Sequence, residues 1–250
     1  MNVHASDTRI VSRRETHGRH PRHPSLMKCL ADIEITKRCH RGEEICSQGQ
    51  PADSWYRLVT GIARHCAVRS DGRRQIIELL LAGDFFGFTT AGEYSFSVDA
   101  AAEGTIVTAF PRRRLEALAD SDPQLAHEVR QVAFEALSRV QTQLLTLGRT
   151  TAPEKVGSFL LQLASRSSNV SSDKITLPIS RYDIADYLAL SVETVSRSLA
   201  DLRNRGVIKL LSTRMVMIID RDALDDSERQ PHSPYFWQPE LTRRTGLSRR

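Results

Sequence analysis

Apolar positions along the chain change their period twice. From about Ile33 to Ala119 they come in short runs cut by turn residues, as in "EICSQGQPADSWYRLVTGIARHCAV" and "RSDGRRQIIELLLAGDFFGF". Breaks of the Gly-Gln-Pro, Thr-Gly, Asp-Gly (71 to 72) and Gly-Asp (83 to 84) kind, recurring every 8 to 12 residues, predict an antiparallel barrel or jelly roll. "TIVTAFPRRRLEALADSDP" reads as a last strand ending near Phe110, then a short helix. At Asp122-Pro123 the period becomes helical, with Asp suited to the N-cap and Pro to the first turn. Leu125, Val129, Val132, Ala136, Val140, Leu144 and Leu147 then recur at three- and four-residue steps until Gly148, which can supply a stop. A helix of that length, ~39 Å at 1.5 Å per residue, with a narrow apolar seam calls for a partner. Small Ala133 and Ala136 favour pairing with a second copy, as in a two-stranded coiled coil.

After "RTTAP" the pattern gives a second amphipathic helix, "EKVGSFLLQLASRSS", with Val156, Phe159, Leu160 and Leu163 inward. A Ser/Asn-rich loop and a strand-like "KITLPI" follow. "SRYDIADYLALSVETVSRSLADLRNRGVI" holds two helices around a tight corner, the first opened by a Ser180-x-x-Asp183 capping box. "GVIKLLSTRMVMIID" reads as two short strands about a turn near Ser212 to Arg214. The fold class is thus α+β: a β-roll, a long dimerisation helix and a C-terminal winged helix-turn-helix. The divisions fall at 1–26 (disordered basic tail), 27–119 (roll), 120–149 (long helix), 150–224 (winged helix-turn-helix) and 225–250 (disordered basic tail), with Met27 a candidate alternative start.

Charge adds little to this. The net charge is +5, but the two ends contribute about +7 through their arginines and the rest of the chain about −2. Bulk basicity therefore belongs to the tails and is weak evidence for nucleic acid. No run of 18 apolar residues is present to span a membrane, and the first 25 residues lack a signal-peptide core, so a cytoplasmic location is expected. Cys29, Cys39, Cys46 and Cys66 fit no C-x-x-C spacing and read as free thiols. No nucleophile elbow, P-loop or metal-ligand motif is present, and an enzyme is not expected.

The chemistry lies in "LSVETVSRSL". With Val195, Leu199 and Leu202 inward, Glu193, Ser196 and Arg197 share the outer face. On an ordinary surface that is a Glu-to-Arg pair contributing roughly 0.3–0.5 kcal/mol. On the N-terminal half of the second helix of a helix-turn-helix it faces the major groove. There Arg197 can donate twice to guanine O6 and N7, Glu193 can accept from cytosine N4, and Ser196 can bond either way or touch a thymine methyl. Ser180, Arg181, Ser191, Thr194 and Arg214 are candidates for positioning phosphates.

The segments "LLLAGDFFGF" and "ISRYDIADYLALSVETVSRSLADLRNRGVI", with the long helix between them, resemble the CRP/FNR superfamily of bacterial transcription regulators over roughly residues 27 to 224. Its E-x-x-S-R recognition signature falls on Glu193, Ser196 and Arg197, in the form of the FNR and FixK branch. The resemblance implies a homodimer paired through the long helix, a double-stranded DNA palindrome of the TTGAT-N4-ATCAA type, and recruitment of RNA polymerase as an activator under low oxygen or nitrogen oxides. Cyclic-nucleotide binders of the superfamily carry a Gly-Glu-Leu segment and a later arginine for ribose and phosphate. Here Phe88 follows Gly87, and no arginine occurs between Arg74 and Arg112, so cAMP is not expected. The cysteine gaps do not resemble the iron–sulfur motif of oxygen-sensing relatives, and His40 and His65 are weak haem ligands. Cys39, between Arg38 and His40, is the candidate redox thiol. A roll without cofactor or metal, in a protein controlled through its own synthesis, is the leading reading. The alternatives are a ligand-, haem- or redox-gated roll, or a helix-turn-helix used to dock protein.

Overall fold

Alternation in the first half builds eight strands, shown by a computed structural model that describes residues 23–68, 74–166, 173–177 and 179–224. They are β1 (Ile35–Cys39), β2 (Glu44–Cys46), β3 (Ser54–Thr60), β4 (Ile62–Val68), β5 (Arg74–Leu81), β6 (Phe85–Phe86), β7 (Ser97–Ala100) and β8 (Thr105–Pro111). They form two antiparallel four-stranded sheets, ordered β1-β8-β3-β6 and β2-β7-β4-β5. Inward side chains of both sheets, among them Leu58, Ala63, Leu80, Phe86, Val98 and Val107, make the roll's core. The chain passes from β3 to β4 through Gly61 at φ 85°, where a Cβ would lie 2.5 Å from Thr105 Oγ1, so both conformation and space require glycine.

The roll is flanked by α1 (Pro24–Leu30), α2 (Arg112–Ser121) and α3 (Pro123–Leu147). Asp122 caps α3 as its sequence position predicts, accepting from the N–H groups of Gln124 (2.9 Å) and Leu125 (3.3 Å), with Pro123 in the first turn. Gly148 ends the helix at φ −72°, so its left-handed freedom is not used. The expected N-terminal tail is corrected at its end. Residues 24 to 26 are already helical, and Leu26 and Leu30 are buried against Leu125 of α3. The buried Glu128 carboxylate accepts from the backbone N–H of Leu26 (2.7 Å) and Ser25 (3.3 Å), satisfying donors that the short α1 leaves open. A start at Met27 would strip Leu26 from this contact. The rest of the N-terminal tail, the C-terminal tail, the Asp71-Gly72 turn and most of the Ser/Asn-rich loop lie outside the described residues.

The second half consists of α4 (Ala152–Arg166), β9 (Lys174–Thr176), α5 (Arg181–Leu188), α6 (Val192–Asn204), β10 (Ile208–Ser212) and β11 (Met215–Ile218). The strand-like "KITLPI" joins the expected hairpin as a third strand, giving the order β10-β11-β9. Val156, Phe159, Leu160 and Leu163 of α4 point inward as their spacing requires. The α5–α6 corner turns on Ala189, at φ 52° and ψ 49°, the left-handed region that costs an L-residue roughly 1–2 kcal/mol. The two halves are not separate cores. Ile62, Cys66, Ile76, Leu79 and Ala101 of the roll belong to one apolar cluster with Ile184, Leu188, Leu199 and Leu202.

Ala189→Gly is expected to stabilise the chain by about 0.5–1 kcal/mol, the relief of left-handed strain exceeding glycine's added unfolded-state entropy. Gly61→Ala should instead lower the melting temperature sharply. Thermal unfolding of both variants checks the pair.

Candidate nucleic-acid interface

Three buried residues set the orientation of α6. Val195, Leu199 and Leu202 pack into the core, which turns Glu193, Ser196 and Arg197 to solvent on the helix's first two turns. Both heads are exposed to solvent, and the Arg197 charge acts on the Glu193 carboxylate from one helical turn away. Backbone N–H donation at its own residue, then the Ser191 hydroxyl, hold the Glu193 carboxyl below its ordinary pKa. It is therefore an ionised acceptor at neutral pH.

The candidate phosphate contacts divide. Ser191 is the N-cap of α6: its Oγ accepts from the Thr194 N–H at 3.1 Å and lies 3.0 Å from the Thr194 hydroxyl. Both hydroxyls sit at the positive end of the helix, where anions are favoured. Ser180 forms the expected capping box with Asp183, and this corrects its assignment. Its N–H and hydroxyl both donate to Asp183 Oδ2 (3.1 and 2.7 Å), leaving no side-chain proton for a phosphate in this arrangement. Arg181 reaches across to the wing, its Nη2 donating to the Thr213 carbonyl at 3.4 Å, while its buried Nη1 has no partner among the described residues. Arg214 beside it is exposed on the β10–β11 turn. Tyr182, 75% exposed in the first turn of α5, escaped the sequence reading because one aromatic outside an apolar period carries no signal.

The dimerisation seam is corrected in phase. Leu125 and Val132 are buried within the chain itself, against α1, α2 and the roll, and Val129 packs beside them, so none of the three faces a second copy. From Ala133 onward one side of α3 is uncovered, exposing Phe134 (64%), Leu137, Val140, Leu144 (71%) and Leu145, while Gln143 and Thr146 on the other side stay buried. Val140 and Leu144 keep their expected exposure and Ala136 and Leu147 are half-buried beside them, while Phe134, Leu137 and Leu145 were missed. A period shared by a core-facing and an outward-facing half does not reveal where one gives way to the other.

Cys39 is also corrected. It is fully buried on β1, and burial raises its pKa, opposite to what a reactive thiolate needs. Cys46, pushed up to about 12 by burial, and Cys66 are buried as well. His65 is committed to Glu78 at 3.2 Å, and exposed His40 to Glu103 at 2.7 Å. A cavity of about 180 Å³ lies between the roll and α3, lined by Phe85, Phe86, Phe88, Tyr94 and Phe96 with Glu78 and Arg139 at its edge. These residues do not suit a cyclic nucleotide. Arg139, the cation there, donates to Glu78 (2.6 Å) and lies 3.5 Å from Asp84, so a phosphate would have to break a buried ion pair. Phe88, which follows Gly87 in place of an acidic residue, packs edge-on to Trp55 with ring centroids 4.6 Å apart.

Known proteins match this arrangement in both halves. Residues 36–122 match the model of a cyclic nucleotide-binding domain, and residues 154–227 that of a Crp-like helix-turn-helix domain. The chain is 46% identical to the nitrogen fixation regulation protein FixK of Azorhizobium caulinodans, over 74% of this chain and 75% of that protein. It is 32% identical to the transcriptional activator protein FnrL of Cereibacter sphaeroides, over 80% and 84%. Among solved structures, FixK2 of Bradyrhizobium japonicum superposes with a TM-score of 0.71 at 34% identity, covering 77% of this chain and 96% of that one. With both domain models matched in this order and 46% identity to a FixK over about three quarters of each chain, the chain belongs to the CRP/FNR family of helix-turn-helix transcription regulators, in its FixK-like branch.

Proposed function

We propose that the chain is a homodimeric activator that reads a TTGAT-N4-ATCAA-like palindrome in double-stranded DNA and recruits RNA polymerase there, in low-oxygen or nitrogen-oxide-linked gene control. The observation that carries this reading is the solvent-exposed Glu193, Ser196 and Arg197 face on the N-terminal half of α6. A guanidinium fork on guanine and a carboxylate on cytosine N4 each discriminate by roughly 1–3 kcal/mol, enough to select a G·C pair at a fixed place in each half-site. Ser191, Thr194, Arg181 and Arg214 surround that face with phosphate donors that fix register without reading sequence.

Pairing of two copies is supported by the apolar stripe of α3. Phe134, Leu137, Val140, Leu144 and Leu145 would be a large apolar surface for a monomer to leave in water. A parallel pair through this stripe sets the two α6 helices against successive major grooves, about 34 Å apart. The names of the relatives, a nitrogen fixation regulator and a transcriptional activator, support the regulatory role. A cytoplasmic location and the lack of a haem or iron–sulfur cluster are part of this proposal; work without cyclic nucleotide or redox thiol is supported by the paired state of Arg139 and the burial of Cys39. No described helix is long and apolar enough to cross a membrane.

Arg197→Ala and Glu193→Ala are each expected to lower operator preference over random DNA by about ten-fold or more, with the dimer intact. Competition binding at fixed salt measures this, and unchanged preference in both variants would refute the groove assignment. Leu137→Lys with Leu144→Lys should give monomers in sedimentation analysis and lose operator affinity. Arg214→Ala should weaken all DNA alike and reduce the salt slope by about 1.

A further inference from the structure

Contacts between the roll and the helix-turn-helix converge on α5, the helix that precedes the reading helix. Arg64 on β4, largely buried, donates from Nε to Asp99 Oδ1 on β7 at 2.7 Å and from Nη1 to Asp183 Oδ1 on α5 at 2.8 Å. Arg74 on β5 also pairs with Asp99, so the bridging carboxylate is gripped from two strands. Asp183 is the N3 residue of the α5 capping box, so the group that closes the helix end is also the one tied to the roll. One turn on, Asp186 accepts from the Ile76 backbone N–H at 3.0 Å, an outward donor of the edge strand β5. From the other side Gln143 of α3 donates to the Tyr187 carbonyl at 2.6 Å. Beneath these polar contacts Ile62, Ile76 and Leu79 pack in one cluster with Ile184, Ala185 and Leu188.

We infer that Arg64 is a positioning residue for DNA reading: with the Ile76–Asp186 bond it locks α5 onto the roll and so fixes the pose of α6. This inference rests on the DNA-reading assignment above. The corner between the helices is short, its Leu190 N–H bonded back to the Ala185 carbonyl at 2.8 Å, so whatever holds α5 holds α6. The lock leaves reading free. Glu193, Ser196 and Arg197 point to solvent, on the side of α6 opposite its packed residues. Docking therefore presents the face rather than hiding it. Arg64 supplies, from within the chain, a fixed relation between roll and reading head. A palindrome with a set spacer needs that relation, because both α6 helices must meet their half-sites together.

The test uses full-length protein with Arg64→Gln and Asp186→Ala, singly and combined, on operators whose central spacer is four base pairs or one shorter or longer. Wild type should lose about ten-fold or more in affinity when the spacer changes. The double variant should bind the four-base-pair operator about ten-fold more weakly, respond to spacer length by less than about three-fold, and keep wild-type affinity for random DNA. Amide exchange without DNA should quicken at Ile76 and across α5 while the roll's core stays protected. A variant that keeps the sharp spacer dependence, binds more tightly than wild type, or exchanges like wild type across α5 would overturn the lock. Wild type with no operator preference would instead sink the DNA-reading assignment, and amide exchange would still decide whether Arg64 holds α5.

Discussion

Burial of Val195, Leu199 and Leu202 on one side of α6 is the constraint on which the rest depends. Once those three side chains are committed to the core, a helix of 3.6 residues per turn has no choice about where Glu193, Ser196 and Arg197 point. Everything around the helix secures that phase. Ser191 closes its first turn, Ala189 accepts a strained conformation to set the corner, and the three-stranded β10-β11-β9 sheet backs it with Val216 and Ile218. The exposed Glu193, Ser196 and Arg197 face and the packing of the helix are thus two consequences of one amphipathic period.

The roll, whose sequence matches a cyclic nucleotide-binding domain, is tied to the rest of the chain by charged groups. Its cavity is narrowed by phenylalanines, and the cation at its edge is spent on Glu78 and Asp84. Arg166 of α4 pairs with the same Asp84 and donates to the Leu79 carbonyl at 3.2 Å. The charged groups between roll, α3 and the DNA-binding half are thereby tied to one another. Buried pairs of this sort add little net stability but penalise any arrangement that separates them.

Local chemistry was legible in the sequence wherever one signal had one cause. Asp122-Pro123, the Ser180 and Asp183 box and the inward trio of α6 are set by short-range rules, and each stands where those rules put it. What stayed hidden came from contacts between distant segments. Residues 24 to 26 looked like tail because nothing local indicates that Leu26 will find Leu125, or that Glu128 will take up the donors of α1. Of the apolar positions along α3, Leu125 and Val132 are buried under α1 and α2 while Val140 and Leu144 are exposed, a change of surroundings that the shared period does not reveal. Cys39, between two basic residues in the chain, looked electropositive, but strand alternation buries its sulfur while Arg38 and His40 point outward. Arg64, a single arginine in a strand, has no local signature at all.

The central claim, that α6 reads bases through Glu193 and Arg197, is tested most directly by a double-mutant cycle between those side chains and the operator. Arg197→Ala and Glu193→Ala are each combined with substitution of every base pair of one half-site, and binding is measured at one salt concentration. The account predicts a coupling of about 1–3 kcal/mol confined to one G·C pair or its immediate neighbour, with additivity at the other positions. Additivity at every position, with the operator still preferred over random DNA, would mean that recognition lies elsewhere and would contradict it.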